Sequence, residues 1–86
     1  MISIKFSALI FIYDKKDIKF LKAFGIQIRK LRNEKNLTQE KLAERSDLED
    51  ADIRRIESGK LNTGLTRIKA LADGLEVNVK ELFDFD

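Results

Sequence analysis

The segment that most restricts how this chain can fold is residues 39–58, QEKLAERSDLEDADIRRIES. Its apolar or small positions are Leu42, Ala43, Leu48, Ile53 and Ile56, and nearly every other position is polar. This spacing predicts two short helices, each with one buried face. Ala43 is small enough for two steeply crossing helices to approach each other closely. Asp47 stands at the corner between them, where a positive φ is expected, and Asp tolerates that conformation better than most residues.

A first helix is predicted to open at Asp17, with an apolar stripe between lysine and arginine residues. The stripe consists of Phe20, Phe24, Ile28 and Leu31. The polar residues 33–36 should end this helix. Thr38 is a good N-cap for the next helix, which we expect to end near Ser46.

Two further helices and a short terminal one complete the expected set. The third is predicted from about Glu49 to Glu57, before Gly59, which suits a left-handed C-cap. The apolar stripe of the fourth helix is formed by Leu65, Ile68, Leu71, Ala72 and Leu75. Asn78 and Glu81 have the spacing of a capping box and predict a last short helix. The expected fold is therefore all-α, with five helices around one core.

Residues 1–13, MISIKFSALIFIY, differ in character from the rest of the chain. Ile2, Ile4 and Phe6 alternate with polar residues, and β-branched and aromatic residues dominate, which favours an extended strand over a helix. The segment is too short to span a bilayer. Because a lone strand has unpaired edges, its natural partner is the same strand of a second subunit. The alternatives are an arm that lies on the helical core, or a disordered segment that results from a start codon assigned too far upstream. We treat residues 1–16 as an arm and 17–86 as the domain.

The composition excludes several function classes. The 86 residues contain no Cys and no His, which removes disulfides, thiolate zinc sites, cysteine nucleophiles and the commonest metal ligand and general base. The acidic residues are spread along helix faces, without any nucleophile–base arrangement. We therefore expect no enzyme, no metal and no cofactor, and a cytoplasmic protein without a membrane segment.

Several separate motifs carry a family resemblance. They are IRKLR, LTQEKLA, RIESGK and the closing VNVKELF, within residues 24–83. Together they resemble the phage repressor and Cro type of helix-turn-helix protein, the Xre family. The resemblance implies a five-helix, lambda-repressor-like domain that binds double-stranded DNA, with the third helix in the major groove and the second crossing the backbone above it.

The same resemblance implies roles for individual residues. The positions expected to contact DNA are Thr38, Gln39, Asp50, Ala51, Asp52, Arg54, Arg55, Lys60, Asn62 and Arg67. Among them, Gln39 matches a phosphate donor, and Lys60, Asn62 and Arg67 could hold phosphates after the reading helix. Arg32 and Glu57 match a structural ion pair that joins the first helix to the end of the reading helix.

The carboxylates at the start of the third helix leave two interpretations open. In one, Asp50 or Asp52 accepts a hydrogen bond from cytosine N4 and Arg55 binds guanine N7 and O6. In the other, repulsion from phosphates has weakened DNA binding, and the same face binds a basic protein partner.

The sequence thus predicts a small, homodimeric, sequence-specific transcriptional regulator that acts as a repressor. Two alternatives keep the fold and the DNA activity but add a partner or a gene context: an antitoxin paired with a toxin, or a restriction-modification controller. A protein-interaction module with a vestigial DNA face is a further alternative.

Overall fold

The computed structural model describes residues 14–86. It contains, in chain order, α1 (Lys15–Glu34), α2 (Gln39–Ser46), α3 (Asp50–Glu57), α4 (Leu65–Leu75) and a 3₁₀ helix (Val79–Phe83). The predicted all-α class is confirmed, with a 3₁₀ helix in place of the fifth α-helix. The strand expected within residues 1–13 lies outside the described residues.

The first helix begins earlier than predicted. Asp14 is its N-cap, and its carboxylate accepts a hydrogen bond from the Asp17 N–H at 3.0 Å. The Asp17 carboxylate in turn accepts a hydrogen bond from the Asp14 N–H at 3.4 Å. Two aspartates three residues apart form a reciprocal capping box, so the prediction that Asp17 opens the helix chose the wrong member of the pair. Lys15 and Lys16, which we had placed in the arm, lie in α1.

All four α-helices of the described region end in the same way. A left-handed residue follows each helix, namely Asn36, Asp47, Gly59 and Glu76. The next residue donates its N–H to the carbonyl five positions back, in the pairs Leu37–Arg32, Leu48–Ala43, Lys60–Arg55 and Val77–Ala72. This is the Schellman arrangement, which often includes an apolar contact from that next residue. Leu37, Leu48 and Val77 do pack against the core. Lys60 is the exception and remains exposed.

The core lies where all five elements meet. Its fully buried large side chains are Ile28, Leu42, Ile53, Ile56, Leu71, Leu75 and Leu82. Two residues predicted for apolar stripes are not in it: Leu65 is 86% exposed and Phe20 is 51% exposed. Leu65 is the first residue of α4, before the helix meets the core. Phe20 instead lies against the rings of Phe83 and Phe85, with centroid separations of 6.4 and 5.7 Å.

The 3₁₀ helix packs on the core through Leu82, which is fully buried. It is also joined to α1, because Gln27 Nε2 donates a hydrogen bond to the Glu81 carbonyl at 2.9 Å. The predicted capping box at Asn78 is wrong, because Asn78 makes no side-chain cap. In the tight turn the Glu81 N–H bonds to the Asn78 backbone carbonyl at 2.9 Å. The donor that a capping side chain would satisfy is therefore already paired.

Candidate nucleic-acid interface

The corner between α2 and α3 comprises residues 47–49 and sets the angle between the two helices. Asp47 has the predicted positive φ, 55°. The Leu48 N–H bonds to the Ala43 carbonyl at 2.9 Å, and Ala43 is buried where the helices approach. On its other side α2 touches α4 so closely that a Cβ added to Gly74 would lie 2.3 Å from Ser46 Oγ. The corner therefore holds α3 in a defined direction relative to the rest of the domain.

The helix α3 has one buried face and one open face. Ile53, Ile56 and Glu57 are buried. The residues expected to face base edges lie on the other side: Asp50, Ala51 and Asp52 are partly exposed, and Arg54 and Arg55 are exposed. The sequence-predicted reading surface is therefore available to a ligand.

A buried carboxylate anchors the end of α3. The Glu57 side chain is 0% exposed, and its Oε2 accepts a hydrogen bond from Arg32 Nε at 2.6 Å. Its Oε1 accepts from Arg32 Nη2 at 3.0 Å and from Gln39 Nε2 at 3.1 Å. Arg29 Nε lies 3.3 Å from the same oxygen. The structure thus brings Arg32 and Glu57 together and adds Gln39 and Arg29, so that α1, α2 and α3 share one polar junction.

The junction also shifts the pKa of its members. Burial raises the pKa of Glu57, but hydrogen bonds from Arg32, Gln39 and Arg29 lower it more, so the pKa lies below its usual value. The hydrogen bond to Glu57 raises the pKa of Arg32. Both groups are consequently charged at neutral pH, and the pair is a structural element rather than a proton donor.

The start of α2 places two predicted DNA contacts side by side. Thr38 caps the helix, with its Oγ1 accepting from the Lys41 N–H at 3.0 Å. Gln39 uses one N–H on Glu57, and a side-chain amide has two. The second N–H of Gln39 and the hydroxyl hydrogen of Thr38 therefore remain as donors for a phosphate, beside the positive end of the helix dipole.

The carboxylate of Asp52 lies between two arginines. Its side chain is 16% exposed, and its oxygens lie 3.9 Å from Arg55 Nη1 and 3.6 Å from Arg67 Nη1. Both distances are those of ion pairs rather than hydrogen bonds. Asp52 is therefore drawn toward the protein's own cations, whereas Arg55 and Arg67 keep 61% and 45% of their side-chain surface open.

The loop after α3 carries the remaining predicted contacts. Lys60 and Asn62 are exposed there, and Leu61 between them packs on the core. The Lys60 N–H bonds to the Arg55 carbonyl at 2.8 Å. The loop is thereby tied to the end of α3, with Lys60 and Asn62 directed away from the core.

Sequence reasoning missed one member of this surface, Arg29, and one contact of a predicted member, Arg67. Arg29 joins the Glu57 junction, and its spacing of three from Arg32 on one helix face was the available signal. Arg67 pairs with Asp52 across a gap of fifteen positions. No local spacing predicts that contact, because it depends on how α4 packs.

A comparison with protein families decides the assignment. The helix-turn-helix family (HTH_3) matches residues 28–82, which include α2, the corner and α3. The chain belongs to the helix-turn-helix family. Its fold is the DNA-binding fold of transcriptional regulators of the Xre type, as the sequence resemblance implied.

Individual helix-turn-helix relatives are similar over most of the chain. Control protein C.MunI of a Mycoplasma species is 40% identical over 68 residues, 78% of this chain and 89% of its own. Control protein C.BamHI of Bacillus amyloliquefaciens is 41% identical over 63 residues, 72% of this chain and 78% of its own. The crystal structure of the restriction-modification controller protein C.AhdI from Aeromonas hydrophila superposes with a TM-score of 0.72 at 40% identity, covering 73% of this chain and 96% of that protein.

Within residues 14–86, each helix is too short or too polar to cross a bilayer.

Proposed function

We propose that this protein is the controller of a restriction-modification system: a cytoplasmic homodimer that binds a specific double-stranded DNA site and regulates transcription from it. The observation that carries the proposal is the 40% identity to a control protein over 78% of this chain. The open face of α3 supports it, since that face presents Arg54 and Arg55 to a ligand.

The proposed complex uses three groups of residues. The open face of α3 enters the major groove, where Arg55 donates two hydrogen bonds to guanine O6 and N7. Thr38 and Gln39 bind a phosphate on one side of the groove. Lys60, Asn62 and Arg67 bind phosphates on the other side. The phosphate contacts supply affinity and register, and they weaken as salt increases.

Selection of bound duplexes from a random pool tests this function. We expect palindromic sites whose halves lie about one helical turn apart. Arg55→Ala should reduce the preference at one guanine, with a loss of about 1–3 kcal/mol on the preferred site. The matched control is Lys41→Ala: Lys41 is exposed on α2, pairs with Glu44 at 3.4 Å and belongs to no proposed contact. A uniform loss across all sequences for Arg55→Ala would show that Arg55 contacts only the sugar-phosphate chain.

One observation favours a second candidate, a protein-interaction module. Glu49, Asp50 and Asp52 place three carboxylates at the start of α3, where they stabilise the helix dipole but repel phosphates. Titration with random duplex at low and moderate salt separates the two functions. Binding that weakens with salt supports DNA as the ligand, whereas absence of binding at both salt concentrations supports a basic protein partner.

A further inference from the structure

One carboxylate connects two arginines that are proposed to contact different parts of DNA. Asp52 lies in the first turn of α3. Its Oδ1 is 3.9 Å from Arg55 on the same helix, and its Oδ2 is 3.6 Å from Arg67 on α4. Arg55 is the proposed base contact and Arg67 a proposed phosphate contact. The Asp52 carboxylate therefore lies between Arg55, which is proposed to recognise a base, and Arg67, which is proposed to bind a phosphate.

The exposure of the three side chains separates their roles. The Asp52 side chain is only 16% exposed, so little of its carboxylate is free to approach a base edge. Arg55 and Arg67 extend further into solvent. Because the ion pairs are longer than hydrogen bonds, each guanidinium keeps its donors for DNA.

Asp50 provides an internal comparison. It carries the same charge in the same turn of α3. Within residues 14–86, none of the ion pairs includes Asp50. Within residues 14–86, Asp52 thus has two arginine partners, whereas Asp50 has no ion pair. Both aspartates lie in the first turn of α3, at the positive end of the helix dipole and near the proposed phosphates.

We propose that Asp52 is a positioning residue for base recognition: it does not contact a base but holds Arg55 in the orientation that reads guanine and connects it to Arg67. This inference rests on the proposed function, because it requires Arg55 to contact DNA. It replaces the expectation that Asp52 accepts a hydrogen bond from cytosine.

The physical effect is one of preorganisation. An arginine side chain loses rotamer freedom when it binds, and a neighbouring opposite charge that already restricts it lowers that loss. The same carboxylate repels phosphates in every sequence equally. Asp52 therefore increases discrimination between sequences more than it increases affinity, whereas Asp50 has no ion pair with Arg55 through which to do so.

The test compares Asp52→Asn with Asp50→Asn, Arg55→Ala and the double variant Asp52→Asn/Arg55→Ala. Each full-length protein is titrated with the selected duplex and with duplexes changed at one base pair at a time, and its helix content is checked by circular dichroism. We expect Asp52→Asn to lower the preference at the Arg55 guanine about two- to fivefold, the range of a partly exposed ion pair. In the Arg55→Ala background the same substitution should not alter that preference further. Asp50→Asn should leave the preference at the Arg55 guanine unchanged, because none of the ion pairs within residues 14–86 joins Asp50 to Arg55.

Two results would overturn the inference. A loss of preference at a cytosine that persists in the Arg55→Ala background would make Asp52 a base contact. If Asp52→Asn and Asp50→Asn changed the affinity for all duplexes equally, Asp52 would act only as a surface charge. In both cases the wild-type protein still discriminates between duplexes and the proposed function stands. A wild-type protein that prefers no duplex would instead remove the proposed function and this inference together.

Discussion

Glu57 is the residue whose charge has the largest expected effect on stability. It is buried and accepts hydrogen bonds from Arg32, Gln39 and Arg29. Glu57→Gln keeps its size but removes the charge opposite Arg32, which is itself only 12% exposed. The new amide group also points N–H donors toward other donors. We expect the free energy of unfolding in urea to fall by about 3 kcal/mol at pH 7.

The pH dependence of this loss has a definite sign. The pKa of Glu57 is lowered in the folded protein, so its stabilisation is complete above the unfolded pKa, roughly 4.3. It is lost as the pH falls through the folded pKa. The difference in the free energy of unfolding between wild type and Glu57→Gln should therefore become smaller when urea unfolding is repeated at successively lower pH below the unfolded pKa of about 4.3.

A surface pair provides the control for Glu57. Asp73 lies 2.9 Å from Lys69, but its side chain is 64% exposed. Asp73→Asn should change stability by no more than about 0.5 kcal/mol. A Glu57→Gln deficit that stayed constant down to pH 2 would show that the lost stability comes from packing rather than from the carboxylate charge.

At the scale of helices, sequence periodicity predicted most of the fold. It did not predict the left-handed backbone at Glu76 or the 3₁₀ form of the helix at residues 79–83. The bounds of α2 and the positive φ at Asp47 followed from the cap and the corner residue. Glu76 was missed as a left-handed residue because Glu has no local preference for that conformation. The sequence does not distinguish the 3₁₀ helix at residues 79–83 from a turn of α-helix, since apolar residues three apart are compatible with both.

The candidate site shows the same division. Positions on α2 and α3 could be assigned from their matching motif, because one short rigid unit carries them. Of the contacts between distant segments, the Arg32–Glu57 pair was predicted through the family resemblance, but the others could not be. The ion pair of Asp52 with Arg67 depends on the packing of α4, and the hydrogen bond of Arg29 to Glu57 depends on how closely α1 approaches α3.

That approach between α1 and α3 requires Gly25. A Cβ at this position would lie 2.4 Å from the Ile56 carbonyl oxygen and 2.5 Å from that of Glu57. Alanine is more favourable than glycine in a helix by about 1 kcal/mol. At this position, however, the added Cβ would clash with backbone carbonyl oxygens of α3, which cannot move aside as a flexible side chain can. We expect Gly25→Ala to lower the free energy of unfolding by about 1–3 kcal/mol, as overpacking does. Thermal unfolding followed by circular dichroism measures the change.

Gly64 is the matched control for added volume. It is the N-cap of α4, and a Cβ there would have no neighbour within 4 Å. Gly64→Ser should keep or slightly raise stability, since serine is a good N-cap. If Gly25→Ala proved as stable as Gly64→Ser, the close packing of α1 on α3 would be incorrect.

Across the whole molecule, charge is distributed unevenly beside the reading helix. The net charge is +2, but residues 15–35 hold eight Lys or Arg against Asp17 and Glu34. This basic stretch reaches the end of α3, where a Cβ at Gly59 would lie 2.7 Å from Lys22 Cγ. The positive field therefore comes from α1 and attracts DNA without sequence preference. In the proposed complex, discrimination between sites is left to the open face of α3.

The proposed reading of a palindrome needs two copies of the chain, and residues 1–13 are the predicted means of pairing. Replacing Ile2, Ile4 and Phe6 together by serine removes one face of the predicted strand. In sedimentation equilibrium we expect the wild type to be a dimer and the variant to be a monomer. It should bind a full palindrome more weakly but a single half-site equally well, because the reading surface is unchanged.

The control for this variant is Ser3→Ala with Ser7→Ala, two residues expected on the opposite face of the predicted strand. These substitutions should leave the dimer intact. A triple serine variant that remained dimeric would move the interface to the helical part of the protein. The exposed rings of Phe20 and Phe83 would then be the residues to replace, since they form an aromatic surface next to the start of α1. Loss of the dimer on their replacement would assign pairing to that surface, and the two half-sites would be spaced by helices rather than by a strand ribbon.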